Sequence, residues 1–94
     1  MTGEPLDLGH GVRVRFFADP GSDEQVGLIF LHRSPAGDEC DGGPIRFDIP
    51  ANADWPADHR WQVHSMNPLD LSPSLLCGRC GTHGFIRAGR WVPA

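Results

Sequence analysis

LLCGRCGTHGFIRAGRW, residues 75–91, places two cysteines and a histidine at three-residue intervals ahead of an apolar segment. The two-residue spacing between Cys77 and Cys80 lets both sulfurs reach one tetrahedral ion from a tight turn, a zinc knuckle. Glycines after each cysteine relieve the backbone where its amides crowd toward the thiolates. His83 follows on the same turn. The spacing therefore predicts a Zn²⁺ site that includes Cys77, Cys80 and His83.

Two other interpretations of this segment carry less support. A thioredoxin-type dithiol needs a helix that begins at the first cysteine and lowers its pKa. Gly81 and Gly84, together with the β-branched Thr82 and Ile86, disfavour a helix here. The remaining alternative is a pair of buried thiols in a glycine-rich turn, with no metal and no chemistry.

A tetrahedral zinc ion needs a fourth ligand, which must come from upstream. His32 is favoured because it ends the apolar run QVGLIFLH on the face that the run's other core residues share. Cys40 is the second choice, since a hairpin would bring it back near His32. The other histidines carry less signal: His64 is expected to face solvent, and His10 and His59 lie in loops.

The rest of the sequence predicts short strands separated by turns. Apolar and polar residues alternate, as in half-buried strands, at 12–16, 45–49 and 61–65. Further strands are predicted at 25–32, at 69–76 with an interruption at Pro73, and in a terminal hairpin at 85–92. Polar loops are predicted at 33–43 and 50–59. We therefore expect a mainly β fold over residues 1–94, a small single-domain sandwich or barrel with the zinc knuckle near the C-terminus.

Composition narrows the class of protein. The chain has 94 residues, of which 39% are apolar, enough for one small core that a metal would help to stabilise. No apolar run has the ~18 residues of a membrane span, and the N-terminus lacks the pattern of a signal peptide. Three cysteines without a secretion signal favour metal or thiol chemistry over disulfides. We expect a cytoplasmic protein with no membrane partner.

The charge is distributed unevenly along the chain. Residues 1–70 hold five arginines against twelve acidic residues, whereas residues 71–94 hold three arginines and no acid. An acidic chain with a basic end lacks the electrostatic signature of a general nucleic-acid binder. Nucleic-acid binding nevertheless remains an alternative, in which Arg79, Arg87, Arg90, Trp91 and Phe85 form a basic, stacking patch.

The sequence gives weak support for an enzyme. No histidine is followed two residues later by glutamate, and the spacing of a zinc deaminase is not met. A metal-dependent hydrolase would have to use Asp38, Glu39 or Asp41 as its base, and these acids are expected to face solvent. The favoured hypothesis is a non-enzymatic protein with a structural metal that acts through contacts with partner proteins.

Residues 71–77, LSPSLLC, followed by the pattern C-G-x-H-G-F-I-R-x-G-R-W from Cys80 to Trp91, resemble a family of small zinc-binding proteins of actinobacterial phages and prophages. A more distant branch is similar to predicted metal-binding proteins of bacterial ubiquitin-like operons. The resemblance is strong over residues 61–94. It implies Zn²⁺, with Cys77, Cys80 and His83 as site residues and some support for His32. It also implies a phage-encoded protein in the host bacterial cytoplasm, and no particular activity.

Overall fold

The computed structural model describes residues 5–94, which form nine β-strands and two single-turn 3₁₀ helices. The helices, Pro50–Asn52 and Ala57–His59, lie in one loop. The strands are β1 (Leu6–Gly9), β2 (Val12–Ala18), β3 (Gln25–Arg33), β4 (Glu39–Phe47), β5 (Arg60–Met66), β6 (Leu69–Ser72), β7 (Leu75–Leu76), β8 (His83–Arg87) and β9 (Arg90–Pro93).

Strands β1 to β6 form one sheet in sequence order. All neighbours in it are antiparallel except β4 and β5, which run parallel and pair at Phe47 and Trp61. Parallel neighbours need a crossover, and the loop that contains both 3₁₀ helices provides it. This loop therefore lies beside the sheet rather than beyond its end.

Strands β7, β8 and β9 form a second, antiparallel sheet that covers one face of the first. The core lies between them, where the ring of Trp91 stacks on that of Phe30 at 5.8 Å between centroids. Gly84 permits this arrangement, because a Cβ there would stand 2.6 Å from the Trp91 ring. The core residues are Leu8, Val12, Val14, Leu28, Phe30, Ile45, Phe47, Leu69, Leu71, Leu75, Cys77, Ile86 and Trp91.

The turn between β8 and β9 docks on the edge of the first sheet. The amide of Gly89 donates to the carbonyl of Leu69, and the amide of Ala88 donates to a carboxylate oxygen of Asp70, at 2.8 and 3.1 Å. Both turn residues have positive φ, 50° at Ala88 and 77° at Gly89. The predicted terminal hairpin is confirmed, and it ties the small sheet to strand β6.

The prediction of a mainly β fold is confirmed. Residues 5–94 form two sheets and no closed barrel. Three details differ. Strand β1 was not predicted. The predicted interruption at Pro73 is present, but it separates two strands of different sheets, β6 ending at Ser72 and β7 beginning at Leu75. The predicted loop 33–43 is only a short turn. That turn closes where Ser34 and Asp38 exchange hydrogen bonds, so β4 begins as early as Glu39. Within the described residues, no helix is long and apolar enough to cross a membrane.

Candidate metal centre

The hairpin of β3 and β4 supplies two potential ligands. His32 and Cys40 are direct partners across the two strands, so their side chains leave the same face of the sheet. A bulge between Ile29 and Leu31 sets this register, because the two-residue step on β3 faces a three-residue step on β4, from Asp41 to Pro44. Both residues were predicted to lie near each other, and the hairpin places them together as expected.

The knuckle between β7 and β8 supplies two more potential ligands, Cys77 and Cys80. The amide of Gly81 donates to the carbonyl of Cys77, and the amide of Cys77 donates to the carbonyl of Thr82, at 2.9 and 2.8 Å. These bonds close a turn that holds Cys77 and Cys80 on one side. Of its two glycines only Gly81 requires glycine conformation, with a φ of 81°.

The four side chains converge. Their potential ligand atoms, the thiol sulfurs of Cys40, Cys77 and Cys80 and a ring nitrogen of His32, all lie within 4.8 Å of one another. The Nε2 of His32 is 3.2 Å from the Cys80 sulfur, and the Cys40 and Cys77 sulfurs are 3.6 Å apart. Bonds of about 2.0–2.3 Å to a tetrahedral Zn²⁺ separate neighbouring ligand atoms by about 3.3–3.8 Å. The cluster therefore has the donors and the spacing for one metal ion.

The same distances describe thiols rather than a disulfide. A disulfide bond would require about 2.05 Å between sulfurs, far less than the separation of Cys40 and Cys77. All three cysteines are free. Soft thiolates with one imidazole suit zinc among the common ions, which is consistent with the predicted Zn²⁺.

The centre is largely shielded from water. His32 is 3% exposed and Cys77 1%, while Cys40 and Cys80 are half-buried. The imidazole of His32 stacks on Phe30 at 4.9 Å between centroids, with 22° between the planes. This stack fixes the ring with Nε2 toward Cys80. The buried Nδ1 has no hydrogen-bond partner among residues 5–94.

Two thiols differ sharply in acidity. Hydrogen bonds from the side chain and backbone of Thr82 are the largest influence on Cys80, and they lower its pKa to about 6, with further help from His32 and Cys77. Burial is the largest influence on Cys40, and with the neighbouring Cys77 and Cys80 it raises the pKa of that thiol to about 12. The metal-free cluster thus holds a thiolate at Cys80 and a protonated thiol at Cys40 at neutral pH.

The structure does not bring His83 to this cluster. His83 opens β8 on the outward-facing register that it shares with Phe85 and Arg87, whereas Gly84 and Ile86 face inward. Its Nε2 lies 2.8 Å from the hydroxyl of Ser74, and its ring is exposed. Of the four predicted site residues, the structure gathers His32, Cys77 and Cys80, and the second-choice Cys40 joins them where His83 was expected.

The remaining candidates lie elsewhere. His64 is exposed, as expected, with its Nε2 2.8 Å from the hydroxyl of Ser72. Among the acids proposed as a hydrolytic base, Glu39 forms an ion pair with Arg13 at 3.5 Å. A carboxylate oxygen of Asp41 accepts a hydrogen bond from the amide of Gly43. Asp38 is exposed in the β3–β4 turn, as are His10 and His59 in theirs.

The residues proposed for a nucleic-acid patch separate into two groups. Trp91 is 4% exposed and stacked on Phe30 in the core, so it cannot stack on a base. Its placement in the patch was wrong, because β9 turns it toward the core. Arg79, Arg87 and Arg90 are exposed, and the guanidinium of Arg87 covers the Phe85 ring at 4.4 Å.

Comparison of this chain with protein-family models, with curated proteins and with solved structures found no match. What the site can do therefore rests on its own geometry. It offers three sulfurs and one imidazole nitrogen, a complete set for a tetrahedral ion.

Proposed function

We propose that this chain is a non-enzymatic zinc-binding protein in which the metal is structural. The observation that carries the proposal is the convergence of His32, Cys40, Cys77 and Cys80, whose ligand atoms lie within 4.8 Å of one another. Four protein ligands fill a tetrahedral ion and leave no position for water or substrate, whereas catalytic zinc sites keep one open.

The position of the cluster supports a role in stability. Two ligands belong to the first sheet and two to the knuckle of the second, so a bound ion joins the two layers of the fold. Metal-binding free energy becomes folding free energy when the site exists only in the folded chain. A domain of this size gains much from such a link, because its core alone supplies little net stability.

Origin and partners form the second part of the proposal. The resemblance of residues 61–94 to small phage and prophage proteins supports a phage-encoded chain that works in the host bacterial cytoplasm. Without a substrate position at the metal, its action is assigned to contacts with partner proteins. Genes of phage type on both sides of its coding sequence would support this origin, and a housekeeping operon would contradict it.

Metal content and unfolding test the structural role. We expect one zinc ion per chain after purification without added metal, and a loss of cooperative thermal unfolding after chelation that added Zn²⁺ restores. A doubly substituted variant, Cys77→Ser with Cys80→Ser, should unfold as the chelated protein does. Full stability of that variant would sink the proposal.

Nucleic-acid binding is the second candidate, favoured by the three exposed arginines of residues 71–94 and by the Arg87–Phe85 stack. Electrostatic binding to DNA weakens steeply with salt. Gel-shift titrations with single-stranded and duplex DNA over a salt series test it, with an Arg87→Ala, Arg90→Ala variant as control. Absence of salt-sensitive binding at low ionic strength rules this candidate out.

A further inference from the structure

The outer face of the first sheet, which the second sheet does not cover, carries an apolar groove. The groove has a volume of about 460 Å³ and is lined mainly by carbon. Solvent-facing sheet surfaces are normally polar, so an aromatic concavity on one indicates a binding surface. It is lined by Phe17, Ile29, Pro44, Arg46, Trp55, His59 and Trp61.

An aromatic pair and a clamped arginine shape the groove. The guanidinium of Arg46 lies 5.4 Å from the centre of the Phe17 ring and 4.5 Å from that of Trp55. Its charge is already neutralised, because Asp19 pairs with it at 3.1 Å and the Asn52 side chain accepts a hydrogen bond from it at the same distance. Arg46 thus acts as a support for the two rings and offers no free charge to a ligand.

The loop that carries Trp55 is held in place. Asn52 is fully buried, and its side-chain amide donates to the carbonyls of Val26 and Phe47 at 2.9 and 2.8 Å. The amide of Trp55 in turn donates to the carbonyl of Asn52 at 2.9 Å. Trp55 is nevertheless 43% exposed. A large exposed apolar ring on a backbone held by these bonds is pre-organised for a ligand, because less entropy is lost when it binds.

The charge beside the groove is negative. Asp54 and Asp58 flank Trp55 in an exposed loop that has no arginine. Among residues 5–94, Asp54 forms no ion pair, and Asp58 has only the adjacent His59 at 4.0 Å. This flank repels phosphate and attracts a cation.

We propose that this groove binds a proline-containing, basic segment of a partner protein in the extended polyproline II conformation. Aromatic-lined grooves recognise such segments through their preformed shape, and the acidic flank selects an arginine or lysine beside the prolines. The inference rests on the proposed function in one respect, contact with a protein. It is independent of the metal, because Ile29 of the groove and His32 of the cluster point to opposite faces of β3.

Peptide titrations followed by NMR test the inference on zinc-loaded protein. The probes are a synthetic peptide of Pro-Pro-Arg repeats, one with prolines replaced by Gly and Ser, and one with arginines replaced by Glu. We expect only the first to bind, with shifts at the Trp55 indole and the Ile29 methyl groups. A Trp55→Ala variant should weaken binding at least tenfold, whereas Leu76→Ala, on the second sheet, should leave it unchanged.

Several results would overturn the inference. One is failure of the first peptide to bind, and another is equally tight binding of the proline-free or the acidic peptide. An affinity that Trp55→Ala leaves unchanged is a third such result. Binding of single-stranded DNA at the same residues would also overturn it. An Asp54→Asn, Asp58→Asn variant tests the role of the acidic flank. It should bind the first peptide more weakly, and its affinity should depend less on salt. Zinc content and unfolding of each variant are measured separately, so failure here is distinguishable from failure of the metal role.

Discussion

The four cluster side chains differ in how firmly their surroundings hold them. His32 is fixed by its stack on Phe30, and Cys77 is enclosed in the core. Cys40 and Cys80 are only half-buried, and Cys80 is positioned by Thr82, whose hydroxyl lies 3.2 Å from its sulfur. The cluster therefore combines two rigid donors with two that have room to adjust around an ion.

Metal binding by two variants tests whether Cys40 or His83 is the ligand. With Co²⁺ in place of zinc, Cys40→Ser should lose one thiolate-to-cobalt absorption contribution and bind metal at least ~10-fold more weakly. His83→Ala should leave spectrum and affinity unchanged, because that ring faces outward toward Ser74. The reverse pattern would return His83 to the ligand set and remove Cys40.

The acidity of Cys80 predicts a pH dependence in the metal-free protein. Its thiol has a pKa of about 6 when folded against 9.0 as the ordinary value, so the unfolded chain binds more protons between these values. Its contribution to stability is thus full above pH 9 and is lost as the pH falls through about 6. Alkylation followed by peptide mass spectrometry should give a midpoint near pH 6 for Cys80.

Cys40 provides the internal control for that experiment. Its pKa of about 12 keeps the thiol protonated, so alkylation should stay slow until strongly alkaline pH. The linkage has the opposite sign, because the folded chain binds more protons between 9.0 and about 12 and stability falls with pH there. Equal alkylation rates for the two thiols at pH 7 would contradict this assignment.

At the scale of elements, period-two alternation predicted β2, part of β4 and β5, whereas β3 and the strands after residue 68 were predicted from apolar runs and turn residues. The same alternation predicts the orientation of His83, because with Ile86 turned inward the residue three positions earlier on the strand turns outward. His83 was predicted as a ligand because it follows Cys80 by only three residues, and that prediction did not take the direction of its side chain on the strand into account. The start of β4 at Glu39 could not be predicted from the sequence, because Glu39, Asp41 and two glycines are poor strand formers. Strand β1 was not predicted, because it has four residues and only one of them is buried.

The bulge in β4 gives a test of how elements hold the centre. A Cβ at Gly42 would overlap the Phe30 ring, which is buried and carries the His32 stack. Gly42→Ala should therefore lower the free energy of unfolding by about 3 kcal/mol in urea titrations of the zinc-loaded protein.

Gly78→Ala is the matched control, because a Cβ at that knuckle position meets nothing within 4 Å. Its effect should stay within about 0.5 kcal/mol, as for other open surface positions. A Gly42→Ala variant as stable as this control would show that the Phe30 ring is free to move aside.

At the scale of the whole molecule, charge follows the two layers. The second sheet and its knuckle belong to residues 71–94, whose only charged residues are three arginines, and the acidic residues all lie in residues 1–70. The sequence shows this separation of charge. Only the folded chain shows that the aromatic groove lies on the sheet that carries the acidic residues. The groove itself was not predicted: Phe17, Arg46 and Trp55 come from three separate segments.

The two pairs of ligands are each local in the chain, with Cys40 and Cys77 separated by 37 positions. The loop 50–59, exposed except at Asn52, lies within that interval. A protease cut there would release two fragments, one holding His32 and Cys40 and the other holding Cys77 and Cys80. Zinc would then bridge two separate polypeptides that also share the core and the β4–β5 pairing, and removal of the ion by a chelator should weaken this heterodimer.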